Sequence, residues 1–306
     1  MNTRRLFLRL VPALLGLASA TPAFGLANRV FVSQRSGNDL NSCSNILTPC
    51  QTFAGAVVQL NPGGEAIVLD SGGYGAVTIT QSVTIEAPPG VLAFIHPSTP
   101  IDAVSINASG ATVVLRGLTI NGAGQTTGSG ISVAAVAELH VENCLITGFA
   151  GISANNGDGI YFNAAGSLFV KDTITRGNGY VGVYVIAPSG TAQASLDHCR
   201  LEQNEIGLLV QPNAQASIQS SVASGNSNCG LYAGGGELNS ESCLVANNLI
   251  GARTTGTTGF LRASNCTITD NVTGVNPGGG SLLSRSNNTL EGNVVNGSFT
   301  GGYTAK

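Results

Sequence analysis

From about residue 65 onward the chain is built from short runs in which apolar and polar residues alternate. Leu139 and Val141, Leu168 and Val170, Ala194 and Leu196, and Ala216 and Ile218 each flank one polar residue or a residue of the opposite face, the period-two pattern of a strand with one buried side. Aligned on Cys144, the pattern finds equivalents at Leu118, Thr173, Cys199, Ser221, Cys243, Cys266 and Asn288, at successive spacings of 26, 29, 26, 22, 22, 23 and 22 residues. A unit this short cannot bury its own apolar face, so a period near 22 predicts a solenoid in which the core is filled only when units stack.

Each unit repeats the same internal order. Two residues after the anchor a second inward side chain stands at Ile120, Ile146, Leu201, Ala223, Val245, Ile268 and Leu290. Five residues after it comes Asn at 178, 204, 226, 248, 271 and 293, often preceded by Gly (Gly177, Gly225, Gly292). Both residue types tolerate the left-handed backbone of a tight corner, and stacked amides can hydrogen-bond from one coil to the next. A further Gly then opens a third strand at Gly159, Gly182, Gly207, Gly230, Gly251 and Gly274. The expected fold is all-β, with three short strands and three corners in each coil of about 22 residues. Over roughly residues 65–296 this order resembles the right-handed parallel β-helix proteins of the pectin-lyase-like class. The resemblance implies a single-stranded, right-handed parallel β-helix; the spacing alone allows either hand.

Before the coils, Thr48-Pro49-Cys50-Gln51 reads as a capping box with Pro at the first helical position, and Phe53, Ala56, Val57 and Leu60 fall on one helical face. A short amphipathic helix is therefore expected to cover the open end of the solenoid. The stretch from Phe31-Val32-Ser33 to Gly72-Gly73-Tyr74 resembles the opening of exported bacterial β-helix proteins. At the start of the chain, Arg4, Arg5 and Arg9 precede an apolar run from Leu10 to Leu17 and the small residues Ala18-Ser19-Ala20, an export signal with cleavage near Ala20. Thr3 to Arg9 is similar to a twin-arginine signal. The organisation expected is thus signal 1–20, N-terminal segment 21–64 with disulfide loop and helix, β-helix 65–296 and tail 297–306, in a protein exported to the periplasm or beyond.

Composition narrows the class further. With 42 Gly, only 9% charged residues and 42% apolar residues in 306, the chain is neither disordered nor collagen-like, and two Lys argue against a helical bundle. Removing residues 1–20 leaves 10 basic against 16 acidic residues, a balance that argues against a nucleic-acid partner. No run outside the signal is long and apolar enough to be a transmembrane segment. No metal motif or cofactor-binding loop is legible, so no cofactor is expected. Of the seven Cys, Cys43 and Cys50 are the natural disulfide of an exported protein. Cys144, Cys199, Cys243 and Cys266 stand at the inward anchor and Cys229 just before a strand-opening Gly, all as buried thiols, with a bond between Cys243 and Cys266 left open.

The candidate chemistry is sparse. Arg116, Glu142, Lys171 and Asp197 form an outward file of alternating charge, with Arg176 and Glu202 as another neighbouring pair, and both suit cross-strand ion pairs. Asn156-Gly157-Asp158-Gly159-Ile160 resembles the N-x-D-G-I motif of polygalacturonase-type glycosidases, which would make Asp158 a catalytic acid. The family's paired Asp, Gly-His-Gly and basic-apolar-Lys motifs do not follow, so Asp158 is expected instead to cap backbone amides at a corner. His96, His140 and His198 are scattered singly. One file does stand out: two residues after the strand-opening Gly come Ser132, Tyr161, Tyr184, Leu209, Tyr232, Arg253 and Asn276. Tyr presents a flat apolar ring with a hydroxyl, suited to the CH and OH faces of a sugar. Tyr161, Tyr184, Tyr232 and Arg253 are therefore the candidate ligand-binding residues, with a polysaccharide or other glycan as partner. The function expected is a non-catalytic saccharide-binding or cell-surface face; a divergent polysaccharide lyase or glycoside hydrolase, and a structural or adhesion protein, are the alternatives.

Overall fold

The computed structural model describes residues 25–99 and 101–304; the expected export signal lies outside them. The chain winds through three parallel sheets in turn, which contain twelve, ten and nine strands among the described residues. One coil shows the rule. Ala192–Asp197 lies in the first sheet, Arg200–Glu202 in the second and Ile206–Val210 in the third, and the next coil returns to the first sheet with Ala214–Gln219. Successive coils pair in register, Ala192 with Ala214, Arg200 with Val222 and Ile206 with Cys229. Alternation is strict in the first sheet: Ala192, Ala194 and Leu196 are buried while Gln193 and Ser195 are exposed. One continuous core runs the length of the solenoid.

The two tight corners are built differently. Between the first and second sheets a single residue takes the left-handed backbone, at Asn143 (φ 51°), Asp172 (φ 48°), His198 (φ 52°), Ser220 (φ 47°), Ser242 (φ 54°) and Asn265 (φ 53°). A non-glycine residue there costs about 1 kcal/mol. The anchor side chain that follows offsets this: Thr173 Oγ1 accepts from the Cys144 amide at 3.2 Å, Ser221 Oγ from the Cys199 amide at 3.0 Å, and Asn288 Oδ1 from the Cys266 amide at 2.8 Å. Between the second and third sheets the expected Asn ladder is present from Asn178 to Asn293. From Asn204 onward each Oδ1 accepts the backbone amide of the ladder residue one coil earlier, for example Asn204 to Asn226 at 3.1 Å, Asn226 to Asn248 at 2.9 Å and Asn271 to Asn293 at 3.0 Å, while Asn178 Oδ1 accepts from the Phe149 amide at 3.4 Å. Each Nδ2 donates back to a core carbonyl, as from Asn226 to Leu201 at 3.1 Å. The residue before each of these Asn is left-handed even where it is not Gly, as at Gln203, Asn247 and Asp270.

The strand-opening Gly residues are required by space. A Cβ on Gly182 would lie 2.7 Å from the Gly207 carbonyl oxygen and 2.8 Å from Asn204 Nδ2, and one on Gly251 would lie 2.5 Å from the Gly274 carbonyl. Glycine at this file lets the third sheet pass directly over the ladder.

The N-terminal segment departs from expectation in detail. Strand β1 (Ala27–Val32) already pairs with β2 (Leu60–Val68), so the first sheet begins there; at the other end it runs to Gly301–Gly302. The helix α1 is a single turn, Phe53–Val57, capped by Thr52 rather than Thr48, with the Thr52 side chain accepting from the Gly55 amide. The reason lies at Cys50, which is bonded to Cys43 and held extended by β1: its amide donates to Phe31 O at 2.9 Å and its carbonyl accepts from Ser33 at 2.9 Å. No helix can start until after that bridge. Phe53, Ala56 and Val57 are buried as expected, and α1 packs on β1, β2 and the strand Val77–Ile79 that ends the third sheet. Among the described residues no helix is long and apolar enough to cross a membrane.

Candidate functional site

The site residues named from sequence lie on the outside of the third sheet, and their register is the expected one. Ser132 pairs with Tyr161, Tyr161 with Tyr184, Tyr184 with Leu209, Leu209 with Tyr232, Tyr232 with Arg253 and Arg253 with Asn276. Neighbouring coils bring the rings together. Tyr161 meets Tyr184 edge-on at 5.3 Å between centroids, Tyr180 approaches Tyr184 at 6.3 Å, and the Arg253 guanidinium lies 5.0 Å from the Tyr232 ring. Tyr232 Oη and Thr255 Oγ1 are 3.0 Å apart, which fixes the Tyr232 hydroxyl.

A second apolar file runs beside the first. Val183 and Val185 point into the core, whereas Val181 and Tyr184 belong to a separate outer cluster. Because Gly182 also faces inward against the ladder, the alternation breaks there and Val181 is turned out. The same happens one residue before each strand-opening Gly, giving the outward file Val181, Ile206, Cys229 and Ile250. This file was readable as an apolar column but does not follow from strict alternation. Cys229 is accordingly part of the outer cluster and not of the solenoid core.

The two files pack on each other, and the tyrosines are unequal. Tyr184 is 7% exposed and Leu209 2% exposed, so Tyr184 acts as the centre of the cluster, its phenol pushed up to about 12 by burial. Tyr161, Tyr180 and Tyr232 are half-buried at its rim. Arg253 is also half-buried, with its Nε turned away from solvent and without a hydrogen-bond acceptor in the protein. Tyr180, which the file-by-file reading of the sequence passed over, therefore joins Tyr161, Tyr232 and Arg253 as a group able to touch a ligand, and Tyr184 supports them.

Asp158 sits at the edge of this face and is fully buried. Its carboxylate accepts from the Asn155 amide at 2.7 Å and the Val181 amide at 3.2 Å. Burial pushes its pKa up to about 7, against the pull of those amides and with the Asp102 charge adding to the rise. Asp102, also raised by burial, accepts from the Ser129 amide at 2.8 Å. Both acids spend oxygen atoms on backbone amides, the contacts of a corner cap.

The other expected pairs are partly as read. Arg116 bridges Glu86 at 3.2 Å and Glu142 at 2.8 Å, and the file continues in register to Lys171 and Asp197. Arg176 and Glu202 are register neighbours, but Glu202 is held by Arg200 of its own strand at 2.6 Å. Cys144, Cys199, Cys229, Cys243 and Cys266 are free and buried. Cys243 and Cys266 lie in adjacent coils, where each thiol faces the carbonyl two residues before it, Glu241 O and Ser264 O at 3.2 Å, and the neighbouring Cys266 thiol together with burial raises the pKa of Cys243. Among the described residues no group of three or more His, Cys, Asp and Glu is placed to hold a metal.

With this geometry in hand, the chain can be set beside known proteins. The family model described as "Right handed beta helix region" matches residues 61–250 and again 102–305. No curated protein matches it in sequence at a significant level. Among solved structures it is similar to an alginate lyase from Paenibacillus sp. str. FPU-7 (TM-score 0.59, 13% identity, 91% of this chain and 99% of that one). It is also similar to pectate lyase Pel9A (TM-score 0.53, 16% identity, 87% and 79%) and to the GH136 lacto-N-biosidase from Eubacterium ramulus (TM-score 0.59, 11% identity, 91% and 67%). At these identities the likeness is one of fold.

Proposed function

Because the chain belongs to the right-handed β-helix family, we propose that it is an exported protein that binds a saccharide on the outer face of its third sheet. The observation that carries this reading is the half-buried aromatic rim of that face, Tyr161, Tyr180 and Tyr232, ending at the half-buried Arg253 guanidinium stacked on Tyr232. Rings supply apolar contact to the CH face of a sugar, and the hydroxyls of the rim tyrosines can exchange hydrogen bonds with those of the sugar. Tyr161 and Tyr232 are three coils apart, about 14 Å by the strand spacing, enough for two or more sugar rings. The protein is acidic overall and half-buried Glu205 stands beside Tyr180 at the rim of this face, which favours a neutral or weakly charged glycan over a polyuronate. The named relatives are lyases and a biosidase, and a saccharide ligand is what their names share with this reading. Asp158, the acid that a hydrolytic reading would use, is fully buried on two amides, and this favours binding without catalysis.

A glycan array probed with the purified protein tests the proposal, followed by reducing-end and unsaturated-uronate assays on each hit. Binding that is lost in the Tyr161→Ala/Tyr232→Ala double variant supports it. Product release from a hit would move the reading to a lyase or hydrolase, and binding that requires Ca²⁺ would move the site to another face.

A further inference from the structure

The first sheet carries a feature that neither the fold nor the third-sheet face accounts for. Two successive coils repeat nearly the same strand, Ala192-Gln193-Ala194-Ser195-Leu196-Asp197 and Ala214-Gln215-Ala216-Ser217-Ile218-Gln219. The inward Ala, Leu and Ile are set by the narrow core. The outward Gln and Ser are not, since a solvent-facing strand is better served by Thr, Val or aromatic residues.

In register, Phe169, Ser195, Ser217 and Asn239 form the central outward file, flanked by Gln193, Gln215 and Glu237. Two small Ser residues between bulkier neighbours leave a depression of about 310 Å³ that all of these side chains line. It continues into a second depression of the same volume over Ser195, Ser217, Gln219 and Arg262. One end is walled by the Phe169 ring, 38% exposed and stacked on His140 at 4.7 Å. At the other end Arg262 lies over the Phe260 ring, bonds Asn239 and neutralises Glu237, so the groove ends in a fixed and balanced charge.

We infer that this groove is a second saccharide site, separate from the third-sheet face, that takes a neutral oligosaccharide running along the solenoid axis. From Phe169 to Asn239 is three coil spacings, about 14 Å, and the two middle coils each present one amide and one small hydroxyl, Gln193 with Ser195 and Gln215 with Ser217. A ligand that repeats hydroxyl groups at a short, regular interval and offers a CH face to one ring matches this pattern. A peptide does not, because the strands here are interior to a twelve-stranded sheet and offer no free edge for strand addition.

Calorimetric titration of the purified protein with cellohexaose, laminarihexaose and xylohexaose tests the inference, with Phe169→Ala, Ser217→Trp and Tyr161→Ala/Tyr232→Ala as variants. Phe169→Ala removes the ring and Ser217→Trp fills the depression; each is expected to weaken at least one hexasaccharide by about tenfold or more while the double Tyr variant retains that binding. Both substitutions are on an exposed face and should leave the melting temperature in place; if Ser217→Trp lowers it, Phe169→Ala decides. Binding lost only in the double Tyr variant overturns this site and leaves the third-sheet proposal standing. Affinities of the first two variants within about twofold of wild type, no binding of any hexasaccharide at millimolar concentration, or equal binding of an unstructured peptide overturns it as well.

Discussion

Replacing Asn226 by Ala, in the middle of the Asn ladder, should cost the protein about 3 kcal/mol. The side chain is 1% exposed and serves both coils: Oδ1 accepts from the Asn204 amide at 3.1 Å, and Nδ2 donates to Leu201 O at 3.1 Å and to Asn248 Oδ1 at 2.9 Å. Truncation leaves the Asn204 amide buried without a partner, at a cost of about 1–3 kcal/mol, and also removes the bonds from Nδ2 to the Leu201 carbonyl and to Asn248. Asn293, at the end of the ladder, is half-buried and has water as a substitute partner, so Asn293→Ala should cost less than about 1 kcal/mol. Urea unfolding followed by circular dichroism gives the two values. Amide hydrogen exchange locates the loss, which should concentrate at Asn204. A solenoid can open locally, so the exchange measurement matters as much as the midpoint. If Asn226→Ala and Asn293→Ala lose the same stability, or Asn204 keeps its protection, the ladder does not hold the corner in the way argued here.

Asp158 predicts a pH dependence. Its folded pKa is raised by burial to about 7, so its contribution to stability is full below about pH 4 and is lost as pH rises through about 7. The loss is at most about 4 kcal/mol, and Asp158→Asn should flatten the melting temperature between about pH 5 and pH 8; an unchanged slope would contradict the burial argument. Alkylation in denaturant followed by mass spectrometry should label five thiols and leave one disulfide, Cys43 to Cys50, and fewer labelled thiols would place a second bond, with Cys243 and Cys266 the first pair to test. Replacing Arg4 and Arg5 by Lys should stop export by a twin-arginine route, whereas undiminished export would point to the general secretory route.

The coil was readable because its constraints are local and repeated. Period-two burial, the Asn at each second corner and the Gly that opens each third strand are written once per coil, and the sheets follow from stacking them. What escaped the pattern depends on contacts between coils and between distant segments. The helix start moved from Thr48 to Thr52 because Cys50 is tied to β1 and Cys43, neither of which the capping pattern sees. Tyr184 could be placed in its file but not weighed: it packs with Tyr180 and with Val181 and Ile206, which are turned outward by the breaks in alternation at Gly182 and Gly207. The first-sheet groove was missed for a related reason, since a depression is made by small residues and Ser195 and Ser217 carry no chemistry that draws attention by itself.

The most direct test of the account is a crystal structure of the protein with the strongest glycan from the array. The prediction is a sugar chain on the outer face of the third sheet, with ring faces against Tyr161 or Tyr232, while Tyr184 stays packed beneath them. A bound glycan that leaves Tyr161, Tyr180, Tyr232 and Arg253 untouched would contradict it.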